Sequence, residues 1–161
     1  MSPISLHLLS CHVPFVGGLF ALALLVYAIR RGEENLSRAA DYAILAVGLG
    51  CAVAWATGPA TFSAIETWLD PAATEFAERH EGLGELVMVV WAAAGALALW
   101  GVFLSRASRP APRWRAPVLL ALVSLGLTLA VWAGHEGGRI RHGELRSGVE
   151  VSAAEQDGLE D

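Results

Sequence analysis

Charged side chains break the chain into four long apolar runs. None precedes Arg30, and the following uncharged stretches cover residues 42–65, 86–105 and 116–135, the last closing on His135. A helix needs about 20 mostly apolar residues to cross the hydrocarbon of a bilayer, so each run is long enough. The pattern predicts four membrane-spanning helices at about residues 8–29, 42–62, 84–105 and 116–135. Arg30 and Arg31 follow the first run instead of preceding it, opposite to the order of a cleaved signal peptide, so a retained helix is expected there.

The links suit this reading. Residues 30–41 contain Gly32 and Asn35, and residues 105–117 contain Pro110, Pro112 and Pro117, so both are expected to be tight connections. Short links make sequential helices antiparallel neighbours, which predicts an all-α, integral-membrane, up-down-up-down four-helix bundle over residues 1–148. In the longer link, Asp70 followed by Pro71 is a helix-start signal, an N-cap with proline at the first helical position. That helix is expected to run through Phe76 and His80 into the third span, with a bend at Gly82 and Gly84. Residues 149–161 form a small acidic tail.

Charge then orients the bundle. The two links joining odd to even spans carry seven arginines and three acids, whereas the opposite side carries four arginines and thirteen acids. Cytoplasmic loops are enriched in Lys and Arg, which puts both termini on the periplasmic or external side of a bacterial inner membrane. Hydrophobic residues make up 55% and charged residues 17%, and the net charge is −5. This excludes a disordered chain and disfavours nucleic-acid binding. Two cysteines with no CxxC or CxxCH exclude zinc ribbons and covalently attached haem. Trp55, Trp68, Trp91, Trp100, Trp114 and Trp132 lie mostly towards span ends and are expected to be interfacial anchors.

Chemistry is concentrated in five histidines, all assigned to the external end: His7, His12, His80, His135 and His142. Counting from the apolar boundaries gives an inner level with His12 and His135 and an outer level with His7, His80 and His142. Two neutral imidazoles facing each other from different helices are what a b-type haem needs as axial ligands, which selects His12 with His135 first. His80 with His7 or His142 would form a second site. Small residues within the spans, among them Gly17, Gly18, Gly50, Gly58 and Gly95, serve close helix packing and would equally leave room for a flat macrocycle. No HxxxH or HExxH spacing supports a zinc or copper site.

The residues around these histidines resemble a bacterial family of four-helix membrane proteins called domain of unknown function 2231. Its members begin with a pattern like LHPLLVHFPI, and residues 6–15 here read LHLLSCHVPF, keeping both histidines and Pro14. They end with TGxxGGxLVYxHG, and residues 133–143 here read AGHEGGRIRHG, keeping the glycines and the terminal His142-Gly143. Leu8 stands where the family has proline, and Arg139 and Arg141 interrupt its apolar run. The resemblance implies the four-helix fold and histidines that act together.

These features lead to an expected function. The chain reads as a membrane-anchored subunit carrying one haem b, with a second haem at the outer level as the less favoured count. It would pass electrons near the periplasmic face of a respiratory or photosynthetic complex, among other membrane subunits, a quinol or a periplasmic electron carrier. Such a chain is a cofactor-binding subunit more than a self-contained enzyme. The acidic exterior, including Glu75, Glu78 and Glu81, reads as a solvated surface, with a docking patch for a basic carrier as the sharper alternative. Two other classes remain: a cofactor-free structural subunit, and a histidine-based metal-binding or transport protein. Nearly charge-free spans count against transport.

Overall fold

A computed structural model describes residues 1–146, so the acidic tail predicted for 149–161 lies outside the described residues. The described chain is all-helical: α1 (Pro3–Ser10), α2 (Val13–Arg31), α3 (Glu34–Ile65), α4 (Pro71–Arg106) and α5 (Arg115–Arg141), with single 3-10 turns at Glu66–Trp68 and Gly143–Leu145. Four stretches are long and apolar enough to cross a membrane: Pro3–Arg31, Glu34–Trp68, Pro71–Arg106 and Arg115–Arg141. The chain is therefore a multi-pass membrane protein whose exposed apolar residues, such as Phe20, Leu49, Val89 and Phe103, suit contact with lipid.

Local chemistry sets the helix ends. Gly32 terminates α2 in the left-handed region (φ 66°), its N–H donating to the Ala28 carbonyl. Asp70 caps α4, its carboxylate accepting from the Ala73 N–H at 2.7 Å, with Pro71 at the first helical position. From there α4 runs 36 residues without interruption through Gly82 and Gly84. At about 1.5 Å per residue α4 is roughly 54 Å long. That exceeds the ~30 Å hydrocarbon thickness by nearly half of its length. The first span is instead divided. Cys11 and His12 separate α1 from α2, because Pro14 enters at the second position of α2 with no N–H to continue the ladder.

The contacting helix pairs are α1 with α3, α2 with α3 and α5, α3 with α4, and α4 with α5. Buried residues on α4 repeat as Ala73, Ala77, Val87, Trp91, Ala94, Ala98 and Gly101. This three-and-four spacing is the stripe of a helix that turns one face inward. The bundle core joins Ala21 and Leu25 of α2, Ile44, Val47 and Cys51 of α3, Trp91 and Ala98 of α4, and Leu119 and Val123 of α5. Trp91 is fully buried, which corrects the assignment of this tryptophan to an interfacial belt; the other five are all at least 37% exposed. Its indole fits because Gly18 and Gly126 present bare backbone to it. A Cβ at Gly126 would stand 2.8 Å from Trp91 Nε1.

Candidate functional site: two seated imidazoles

The structure brings together His7 from α1 and His80 from α4. Their ring centres are 6.3 Å apart and their planes meet at 85°. Each ring reaches its place by the same device on a neighbouring helix. The Nδ1–H of His7 donates to the Ala54 carbonyl of α3 at 2.9 Å, and the ring lies over Gly58, one turn further on. The Nδ1–H of His80 donates to the Ala133 carbonyl of α5 at 2.8 Å, and the ring lies over Gly137, again one turn further on. Ala-x-x-x-Gly thus forms the seat on both α3 and α5. Residues four apart share a helix face, so one residue offers its carbonyl while the other leaves space for the ring.

The seats select a tautomer. A peptide carbonyl only accepts, so the bonded Nδ1 carries a proton, and in the neutral ring Nε2 keeps the lone pair. Neither Nε2 has a hydrogen-bond partner among the described residues. Backbone carbonyls orient imidazole ligands in this way in many metal sites, holding one tautomer and one ring direction. Gly82 and Gly134 are exposed and Gly84 and Gly138 half-buried, and a Cβ at any of them would meet nothing within 4 Å.

Surrounding contacts hold α4 against α5. Glu136, buried on α5, meets Arg139 at 3.4 Å, and the Arg139 guanidinium lies 5.3 Å from the centre of the Phe76 ring. Arg79 approaches the same ring at 5.6 Å, a second cation–π contact. Phe76 is one turn before His80. Arg146 ties the end of α5 to the start of α4, bonding the Asp70 carboxylate at 2.6 Å, the Arg139 carbonyl at 2.6 Å and the Ile140 carbonyl. The Ala73 N–H, followed by the Arg146 guanidinium, holds the Asp70 carboxyl below the usual carboxylate range.

The remaining histidines stand apart from this pair. His12 is exposed at the start of α2, its Nδ1 bonded at 2.7 Å to the Leu8 carbonyl within its own chain segment. His135 is exposed on α5, off the buried line of Ala133 and Glu136. No hydrogen bond or ring contact joins His12 to His135 among the described residues. His142 is exposed and pairs with Glu144 at 2.8 Å. His80 falls on the inward three-and-four stripe of α4, between Ala77 and Val87, and that spacing was the available signal for choosing it. Among the described residues no group of three or more His, Cys, Asp or Glu side chains gathers to hold a metal ion.

At the other end of the helices lies a pair that sequence reasoning assigned to loops. Asp41 of α3 and Arg115 of α5 form a buried ion pair, and the Arg115 Nε–H also donates to the Leu97 carbonyl at 3.2 Å. Gly101 makes room for it. A Cβ there would stand 2.6 Å from Asp41 Oδ2 and closer still to the guanidinium. Comparison with protein-family models, with curated proteins and with solved structures gives no match, so the functional reading rests on this chain's own geometry.

Proposed function

We propose that the chain binds one b-type haem through His7 and His80 and serves as a membrane-anchored electron-transfer subunit. The observation that carries this reading is the paired seating. Two imidazole nitrogens facing each other in line across a metal at about 2.0–2.1 Å, with each ring centre ~1.1 Å behind its nitrogen, would set the centres about 6.3 Å apart. The separation found here is 6.3 Å, and both Nδ1 atoms are already engaged. Two imidazoles at this separation, each with its Nε2 free of a hydrogen bond, would be the residues to hold a haem iron. The bound haem would supply a one-electron redox change at its iron. The protein's part is to hold two neutral imidazoles in one tautomer, anchor their rings to α3 and α5, and leave space at the neighbouring glycines.

This assignment favours the outer pair over His12 with His135. The bundle is threaded up-down-up-down with its histidine end facing the periplasm, as the arginine asymmetry supports. Electron exchange with a quinol, a partner subunit or a periplasmic carrier would then occur near that face of a bacterial inner membrane. A competing reading is a structural subunit without cofactor. The near-perpendicular approach of the two rings favours it, because edge-to-face packing is attractive without any metal.

A dithionite-reduced minus oxidised spectrum of the detergent-purified protein, with pyridine haemochrome quantification, tests both. The haem reading expects a b-type α-band at one haem per chain, lost in His7→Ala and in His80→Ala and kept in His12→Ala and His135→Ala. A folded protein isolated with its native partners and lacking the band would overturn it. A band lost only with His12 or His135 would overturn the ligand assignment.

A further inference from the structure

A cavity of about 410 Å³ opens at the arginine end, between α3, α4 and the link from α4 to α5. Its polar lining comprises Glu34, Arg38, Asp41, Arg109, Arg115 and three serines at positions 37, 105 and 108. The two acids are already committed. Asp41 is neutralised by Arg115. Glu34 accepts from the Ser105 hydroxyl at 2.7 Å and meets Arg38 at 3.4 Å. The cations are not all matched: three arginines face two carboxylates. The Nε–H of Arg38 is shielded from solvent with no acceptor. Arg109 has no carboxylate within 4 Å among the described residues. A shielded guanidinium N–H without a partner costs free energy until an acceptor arrives, and oxyanions match guanidinium geometry best.

We infer that this cavity takes the phosphodiester of an anionic phospholipid. Size separates that ligand from a free ion. At about 410 Å³ the space is larger than an inorganic phosphate fills and is enough for a glycerophosphate headgroup. Location agrees. Trp100 and Trp114 stack at 5.6 Å beside it and Tyr42 meets Arg106 at 3.4 Å, aromatic side chains of the type that settle at headgroup level. Basic pockets between membrane helices are suited to anionic headgroups, whose acyl chains remain in the bilayer. Arg38 and Arg109 would hold the phosphate, while the locked Arg115 contributes field without moving. The inference does not depend on the haem site at the opposite end.

Native mass spectrometry of the detergent-solubilised full chain tests this, with phosphatidylglycerol, phosphatidylcholine and inorganic phosphate as separate additions. The expected result is one retained phosphatidylglycerol, displaced neither by phosphatidylcholine nor by millimolar phosphate. Arg38→Gln and Arg109→Gln should each weaken retention about tenfold or more, the loss expected for one charge-assisted bond. A thermal-unfolding scan of each variant checks that it is folded. Retention that phosphate abolishes would overturn the lipid assignment in favour of a soluble anion. Equal retention of the zwitterionic lipid, or folded variants that bind as the parent does, would overturn the site itself.

Discussion

Removing one half of the Asp41–Arg115 pair should destabilise the bundle far more than removing both halves. Asp41 is 3% exposed and Arg115 7%, so neither charge is solvated once its partner is gone. Asp41→Leu leaves the guanidinium with the Leu97 carbonyl as its remaining strong acceptor. Arg115→Met leaves a shielded carboxylate beside Gly101 with no side-chain donor in its place. Breaking a buried pair in this manner costs about 3–5 kcal/mol, whereas replacing both groups by apolar residues of similar volume is often neutral. Each single variant should therefore lose about that much, and Asp41→Leu with Arg115→Met should return to within ~1 kcal/mol of the parent. Unfolding by titrated dodecyl sulfate in maltoside micelles, followed by tryptophan fluorescence, gives all four corners of the cycle. Single losses below about 1 kcal/mol, the range of exposed pairs, would refute the argument. So would a double variant that loses the sum of the two.

Further expectations concern the seats, the packing glycines and pH. On the proposed haem reading, Gly137→Ala should release the group or shift its spectrum, because the new Cβ would stand 3.1 Å from His80 Nδ1 and push the ring off Ala133. Gly58→Ala should be tolerated, since the same atom meets His7 at an ordinary 3.7 Å. Spectra of the two variants side by side check this asymmetry, and equal effects would contradict it. Gly50→Ala would place a Cβ 2.8 Å from Val13 Cβ and should cost about 1–3 kcal/mol by overpacking, measured in the same unfolding assay. Acid should loosen the link between α4 and α5. The folded Asp70 carboxyl titrates below its unfolded value, so its contribution is present above the usual carboxylate range and vanishes as pH falls through the lowered folded value. Asp70→Ala should remove that segment of the pH–stability curve, and an unchanged acid limb would show that the cap is not responsible.

The four spans were legible because charge is excluded from hydrocarbon, which leaves sharp boundaries at Arg30, Asp41, Glu85 and Arg115. The start of α4 was legible for a different reason. Asp70 and Pro71 act through their own backbone, so a dipeptide suffices to place the cap. Counting depth grouped His7 with His80 and His142 at the outer level, but it gives distance along a helix axis and nothing about direction around it, so it ranked His12 with His135 first. His12 and His135 share a depth and are both exposed. His7 lies on α1, a short helix set off from α2 at Cys11 and His12 and packed against α3, a division that apolar runs do not reveal. His80 was accessible through the α4 stripe, had its spacing been followed outwards from Trp91. Asp41 and Arg115 were counted as loop charges because a charge at the edge of an apolar run resembles an interfacial one. Only the packing of α3, α4 and α5 around Gly101 distinguishes the two.

Both imidazoles are oriented by peptide oxygens, at Ala54 and Ala133, and not by carboxylate or amide side chains. Point mutation changes side chains and leaves peptide oxygens in place. The tautomer of each ring is therefore inherited from the helix itself, and exchanging Ala54 or Ala133 for another small residue would preserve it. Evolution can redecorate these positions within a size limit without losing the donor–acceptor arrangement. A search for related sites should accordingly look for a histidine opposite two small residues four apart, because no acidic partner will mark the place.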